Sequence, residues 1–401
     1  MGERRVAVTG MGIVSCIGTN VEEFARRLFA GESGIARIER FDPTGLRNEE
    51  AGEVKQELSP PEWAPGDWPL DFLFTLVATD EALRDASLPP DLGDVPTGCM
   101  LSTNFGCGEA FEEFAADPEG AECFADVPFH AVVEALKELL DLRGPAAAVS
   151  ISCASGTAAV GLGADLIRLG YAERVLAGGY DMLSLFSQSG LSILRTITAE
   201  KIRPFDVRRS GTIFGEGAAI LVLESLEEAQ RRGATVHAEI LGHGLNNNAY
   251  HLTAPDKEGE GIAVCIEEAI RDAGIDPRDI DYVNAHGTAT EYHDVTEVKA
   301  IKALLGEHAY EIPVSSIKAA TGHTMGAAGS MEIIATILAM HKNLAPPTLN
   351  LDEPDPECDL DHVPWRSKEH EIHVALSNSA GIGGGNASIV LAEPGWVEGR
   401  K

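Results

Sequence analysis

The chain is short of positive charge. It carries 31 Lys and Arg against 63 Asp and Glu, a formal net charge of -32 at pH 7. Such a surface repels phosphate backbones and anionic headgroups, which excludes general binding to nucleic acid or to an anionic membrane. Aromatic residues make up only 6%, so aliphatic and small side chains must build the core. No apolar run reaches membrane-spanning length. The seven cysteines, at 16, 99, 107, 123, 153, 265 and 358, include no CxxC pair and have no close pair of histidines. That excludes a short-spaced metal site, and the odd, scattered set points to free thiols in a reducing compartment. Arg4 and Arg5 followed by the apolar run 6–18 share two features of a leader peptide. Thr9, Gly10 and Gly12 break the run, however, and no cleavage signal follows, so we expect a first strand and its turn in a cytoplasmic protein.

What the chain does have is 401 residues with 44% hydrophobic content, enough for a large core, and 42 glycines without a repeat that would indicate a fibrous chain. Its patterns recur in two halves. A buried strand and glycine turn at 5–12 has a counterpart at 237–244, the strand and turn at 149–156 one at 313–322, and the segment 215–224 one at 384–393. Amphipathic helices are expected over 128–142 and 261–273, each ahead of a strand. Alternating strands and helices predict a mainly parallel sheet with flanking helices. The division expected is an N-terminal half, 1–235, and a C-terminal half, 236–401. The acidic, proline-rich stretch 57–71 reads as a surface loop or cap.

Three segments carry the chemistry: Ser150-Ile151-Ser152-Cys153-Ala154-Ser155-Gly156, Asn284-Ala285-His286-Gly287-Thr288, and Lys318-Ala319-Ala320-Thr321-Gly322-His323. Cys153 follows a short apolar strand and precedes a helix expected over 158–169, so the positive end of that helix is expected to lower its pKa. Cys16, Cys107 and Cys265 lack such surroundings and read as structural thiols. His286 falls at the C-terminal end of a strand, where α/β sheets bind ligands, and His323 sits between Gly322 and Thr324 ahead of a small-residue helix. Lys318, between Ile317 and Ala319, reads as a buried functional lysine rather than a solvated one. A thiol becomes a good nucleophile with a base or a positive field beside it, and two imidazoles and an ammonium supply both.

With these segments go Arg203-Pro204-Phe205-Asp206, Phe214-Gly215-Glu216-Gly217, Pro346-Pro347-Thr348-Leu349-Asn350-Leu351 and Asn378-Ser379-Ala380-Gly381-Ile382-Gly383-Gly384-Gly385-Asn386. Together they resemble, over essentially the whole chain, the β-ketoacyl-acyl-carrier-protein synthases of the synthase II type, type II polyketide ketosynthases included. The resemblance implies a thiolase fold, with two pseudo-symmetric βαβαβαββ halves in a five-layer αβαβα stack. It implies decarboxylative condensation of a Cys153-bound acyl chain with malonyl-carrier protein. Cys153, His286, His323 and Lys318 would be catalytic, the backbone amides of Cys153 and Ala380 would form an oxyanion hole, and Glu297 and Asp294 would support the site. Thr288 and Thr290 would contact the phosphopantetheine arm, which arrives on the acyl carrier protein. No metal or other cofactor is required for the chemistry, and a homodimer or a heterodimer with a cysteine-free homologue is expected.

The chain departs from the family pattern in two places. Ala380 and Ile382 stand where the family motif has phenylalanines, the first of which we take to gate the acyl pocket. No Lys or Arg occurs from 56 to 83, where the family presents a basic docking patch, so docking is expected instead at Arg195, Lys201, Arg203, Arg208 and Arg209, unless Arg203 is a buried partner of Asp206. Other roles fit less well. A cysteine-free chain-length subunit conflicts with Cys153, an acyltransferase without decarboxylation conflicts with the two histidines, and a thiolase would need a second cysteine in 381–386.

Overall fold

A computed structural model describes residues 4–117, 125–194, 196–252 and 254–399. The first half contributes strands β1 (Val6–Ser15), β2 (Thr97–Ser102), β3 (Ala146–Val149), β4 (Arg174–Asp181) and β5 (Gly217–Ser225). The second contributes β6 (Ala238–Asn247), β7 (Tyr282–Asn284), β8 (Val314–Ser315), β9 (Val374–Ala380) and β10 (Gly385–Ala392). Their order across the sheet is β8-β7-β9-β10-β6-β1-β5-β4-β2-β3. Read outward from the β6–β1 junction, the two sides are the same list, each strand facing its counterpart five numbers away. The two sides join where Val6, Ala7 and Val8 pair with Ile240, Glu239 and Ala238.

The halves match as the sequence repeats predict, but the sheet is mixed. Four neighbouring pairs are parallel and five are antiparallel. One of the antiparallel pairs has a local cause: strands β9 and β10 are joined by the short turn 381–384, which can connect only antiparallel neighbours.

Helices α1 (Leu70–Asp85), α2 (Ala131–Leu139), α3 (Ser155–Arg168), α4 (Leu185–Ile193), α5 (Glu260–Ala273), α6 (His293–Leu305) and α7 (Ala328–Lys342) complete the layers. The two amphipathic helices expected from the sequence are α2 and α5, yet they are not counterparts. By position α5 corresponds to α1, and α2 to α6. Helix α1 covers β1, β4 and β5, whereas α5 covers β6 and β10. Helices α3 and α7 touch each other and strands of both halves, so they form the layer between the two sides of the sheet. Every residue of α7 from Ala328 to Met340 is buried, as a helix apolar all round must be. The two middle helices approach closely at their N-termini. A Cβ on Gly329 would lie 2.3 Å from the backbone nitrogen of Thr157, so only glycine permits the crossing.

The stretch 57–71 is a loop only as far as Pro69. Leu70 opens α1, and Asp71 is buried, accepting the backbone N–H of Gly108 at 3.0 Å. Among the described residues no helix is long and apolar enough to cross a membrane.

Candidate active site

The C-terminal ends of β3 and β7, the turn before α7 and the β9–β10 connection meet at one cavity of about 370 Å³. Cys153, His286, His323, Thr288, Thr290, Ala380 and Ile382 all line it.

Cys153 sits on the turn between β3 and α3. Its neighbour Ser152 takes a left-handed φ of 51°, a strained choice for a residue with a Cβ. Helix α3 starts at Ser155, three residues earlier than the sequence indicates, which brings its N-terminus closer to the thiol. The expected low pKa is nevertheless overturned. Burial of the thiol pushes it above its ordinary value, against the opposing pull of the Ser152 hydroxyl, the Ile382 backbone N–H and the Lys318 charge. Burial likewise pushes the Cys16 and Cys265 thiols up to about 12, and that of Cys107 higher still, in keeping with structural roles.

His286 follows β7. Glu297 on α6 holds it through the backbone, its carboxylate accepting the N–H groups of His286 at 2.7 Å and Gly287 at 2.9 Å and the amide of Asn378 at 2.7 Å. Asp294 acts similarly one step along, accepting from Phe205 at 2.8 Å and Ala289 at 3.1 Å. Burial pushes the Asp294 carboxyl up to about 7. Both acids thus fix the course of 286–290. Thr288 and Thr290 lie on that loop with their hydroxyls 3.1 Å apart.

His323 donates its backbone N–H to Ile213 at 2.8 Å and stacks on Phe214, ring centroids 5.8 Å apart. Neither of its ring nitrogens has a protein partner. The rings of His286 and His323 meet edge to face with centroids 5.4 Å apart. Sγ of Cys153 and one ring nitrogen of each histidine lie within 4.8 Å of one another. Burial, followed by the Lys318 charge, holds both imidazoles well below the usual histidine range. Each is therefore neutral at pH 7 and carries one N–H donor. Lys318 is buried as expected; its ammonium lies 3.3 Å from Nδ1 of His286, donates to the carbonyl of the same residue at 2.6 Å and pairs with Glu332.

The backbone amide facing the thiol is not that of Ala380. Ala380 ends β9 opposite Asn386, within the ladder, and the chain turns toward Cys153 only after leaving the strand. The backbone N–H groups that favour the Cys153 thiolate are those of Ile382 and of Cys153 itself. A Cβ on Gly381 would lie 3.0 Å from the Cys153 nitrogen, so glycine there lets the two backbones meet.

The basic cluster expected at the docking face is only partly free: Arg203 and Arg209 are largely covered by ion pairs, whereas Lys201 and Arg208 are exposed. Arg208, not Arg203, pairs with Asp206, at 3.0 Å, and also reaches Asp352 at 2.8 Å. Arg203 pairs with Asp352 at 3.2 Å, and Arg209 is buried against Asp355. Lys201 is exposed, and Arg195 lies outside the described residues.

Sequence reasoning missed Glu332 and His293. A single acid in the apolar run Met331-Glu332-Ile333 was a signal for the first. His293 had none beyond its residue type, because its spacing from His286 does not reveal that a turn folds one ring against the other.

Residues 3–65 and 69–229 match the model of the beta-ketoacyl synthase N-terminal domain, and 237–352 that of the C-terminal domain. A relative named 3-oxoacyl-[acyl-carrier-protein] synthase 2 from Coxiella burnetii is 37% identical over 414 residues, 98% of this chain and 99% of that one. Among solved structures, the ishigamide ketosynthase/chain length factor superposes with a TM-score of 0.92 at 36% identity, covering 98% of this chain and 100% of that one. A type II polyketide ketosynthase solved with its acyl-carrier protein, AntDE:AntF, gives a TM-score of 0.90 at 31% identity, with coverage of 98% and 100%. The symmetric halves and layered helices are the thiolase fold, and with Cys153, His286 and His323 on one cavity this chain belongs to the beta-ketoacyl synthase family.

Proposed function

We propose that this enzyme is a ketosynthase that condenses a Cys153-bound acyl chain with malonyl-acyl-carrier protein. The single observation that carries the reading is the approach of one thiol and two neutral imidazoles within 4.8 Å at the wall of a substrate-sized cavity.

Cys153 gives its proton to solvent, its thiolate attacks the acyl thioester, and the C–S bond to the carrier breaks, the carrier thiolate taking up a proton as it leaves. Backbone N–H groups of Cys153 and, in place of Ala380, Ile382 stabilise the oxyanion. Malonyl-carrier protein then places its thioester carbonyl against the N–H donors of His286 and His323. The C–C bond to the carboxylate breaks, carbon dioxide leaves, and the electron pair forms an enolate whose oxygen those donors stabilise. The enolate carbon attacks the acyl carbon, the C–S bond breaks, and the Cys153 thiolate takes one proton from solvent. The product is two carbons longer. Lys318 fixes His286 through its carbonyl and keeps it unprotonated by charge. Thr288 and Thr290 receive the phosphopantetheine arm, so the chemistry draws on no further cofactor. Ala380 and Ile382 shape the mouth of the acyl pocket.

The partner is an acyl carrier protein, met in the cytoplasm by a dimer. Because Arg203 and Arg209 are largely covered by their ion pairs, this chain offers only Lys201 and the exposed Arg208 for docking, and a homologous second subunit would add further basic residues. Intact-mass analysis of carrier-bound products, after incubation with a panel of acyl donors and malonyl-carrier protein, tests the reading. A product extended by two carbons is expected. Acyl transfer without chain extension would overturn it.

A further inference from the structure

A third imidazole stands in the same cavity and has no role in the scheme above. His293, the first residue of α6, lines the cavity beside Cys153, His286 and His323. Its ring meets that of His286 edge to face, centroids 5.0 Å apart. Its side chain is only 13% exposed, and neither ring nitrogen is hydrogen-bonded within the protein. Its closest charged neighbour is Glu297, whose Oε2 is 4.0 Å from Nδ1, too far for a hydrogen bond. A buried polar ring without a partner is costly, so such a group is normally completed by a ligand or water.

We propose that His293 is a positioning residue that receives the carboxylate of the malonyl extender unit. The inference rests on the ketosynthase reading and goes one step beyond it. The extender brings three polar parts into the cavity. The thioester carbonyl belongs to His286 and His323, and the pantetheine amides belong to the threonine loop. The carboxylate is left, and among the described lining residues there is no Lys or Arg to meet it. The charged lining residue Glu291 is an anion and repels it. His293 is the remaining side chain able to become cationic. In the empty site burial holds its pKa below the ordinary value. With Glu297 on one side and the entering carboxylate on the other, the ring takes a proton from solvent and its charge faces both anions. Holding the carboxylate next to His286 places the breaking C–C bond beside the donors that stabilise the enolate. The bond to His293 is made in the ground state and lost as carbon dioxide departs, so it governs affinity for the extender more than turnover.

The test compares His293→Phe, which keeps a flat ring without donors, with His293→Gln, which keeps an N–H. Binding of malonyl-pantetheine and acetyl-pantetheine is titrated in a Cys153→Ala background, where no condensation can occur. A charge-assisted hydrogen bond is worth roughly a tenfold change in affinity or more. His293→Phe is therefore expected to weaken malonyl-pantetheine binding about tenfold or more with little change for acetyl-pantetheine, and His293→Gln to recover part of the loss. In the Cys153-containing enzyme the same Phe variant should raise KM for malonyl-carrier protein more than it lowers kcat. Equal weakening of both ligands, or no weakening of either, would overturn the proposal. Because the titration needs no turnover, an enzyme that fails to condense yet discriminates the two ligands through His293 would refute the ketosynthase reading and leave this one standing.

Discussion

The ammonium of Lys318 donates to the carbonyl oxygen of His286 at 2.6 Å while lying 3.3 Å from Nδ1 of the same residue. One buried cation thereby fixes the backbone of His286 and disfavours protonation of its ring. Glu332, on the middle-layer helix α7, balances the charge. The active site is in this way tied to the helix layer that joins the two halves.

Breaking this buried pair should be costly. Lys318→Met leaves Glu332 uncompensated, and losing one partner of a buried pair typically costs about 3–5 kcal/mol. Burial already pushes the Glu332 carboxyl up to about 7, so the variant should take up a proton there and recover part of that loss. The double variant Lys318→Met/Glu332→Gln should be more stable than Lys318→Met alone yet remain slow in decarboxylation. Urea denaturation read alongside carbon dioxide release checks both points. A double variant of full activity would show that Lys318 serves stability only.

His286 and His323 should matter for decarboxylation more than for loading. Removing one donor to a developing oxyanion typically slows the step roughly a hundred- to a thousand-fold. His286→Ala and His323→Ala should each show that loss in carbon dioxide release while Cys153 still accepts an acyl group, as read by intact mass. Since both folded pKa values are depressed, the neutral rings should persist as pH falls below the ordinary histidine value near 6.5. Decarboxylation at saturating malonyl-carrier protein should therefore be flat from about pH 6.5 to 8. A titration with a midpoint inside that window would contradict the assignment.

Cys153 should be the one acylated cysteine, and Cys153→Ala should abolish covalent loading. Its thiol is pushed up by burial, so alkylation by iodoacetamide should keep accelerating as pH rises through about 9, without a plateau at neutral pH. Lys318→Met removes a charge that favours the thiolate and should shift the profile further to alkaline pH. Acyl mass on Cys107 or Cys265 would contradict the first expectation, and a plateau near pH 7 the second.

The pocket mouth is tested from both of its small positions. Ala380 is 5% exposed, so Ala380→Phe overpacks the wall; overpacking typically costs about 1–3 kcal/mol. It should also exclude bulky acyl donors. Ile382→Ala should widen the accepted range, with kcat/KM for branched or aryl donors rising about tenfold relative to short chains. Identical donor profiles in both variants would place the gate elsewhere.

Arg209 illustrates a surface expectation that the fold reverses. Its guanidinium is 7% exposed and bonds to Asp355, to the carbonyl of Asp206 at 3.1 Å and to that of Glu291 at 2.9 Å. Arg209→Ala should cost about 3 kcal/mol of stability. It should leave the ratio of KM values for carrier-bound and small thioester substrates unchanged. A selective rise in the carrier KM would restore it to the docking surface.

The sequence by itself pointed to the repeat of the two halves and, while Glu297 and Asp294 came only with the family resemblance, singled out Cys153, His286, His323 and Lys318 as candidate site residues. These are legible because they are local. A thiol on a strand-to-helix turn, histidines among small residues and a lysine in an apolar segment each announce themselves within about ten residues. Tertiary structure alone decided what depends on contacts between distant segments. It made the sheet mixed, with five antiparallel neighbouring pairs, of which the β9–β10 pair is forced by a four-residue turn. It brought the Ile382 amide, beyond the end of the strand that Ala380 closes, to the side of the Cys153 thiol where it favours the thiolate. It raised the Cys153 pKa, because the burial that opposes the helix dipole comes from both halves closing over the site. Arg208 stays exposed beside Asp206 and Asp352, whereas Arg209 was drawn off the surface because its carboxylate partner, Asp355, comes from 146 residues further along the chain. His293 joined the catalytic cavity for the same reason. Charge and residue type are written in sequence, but the partner that consumes a charge or leaves a ring open is chosen by the fold.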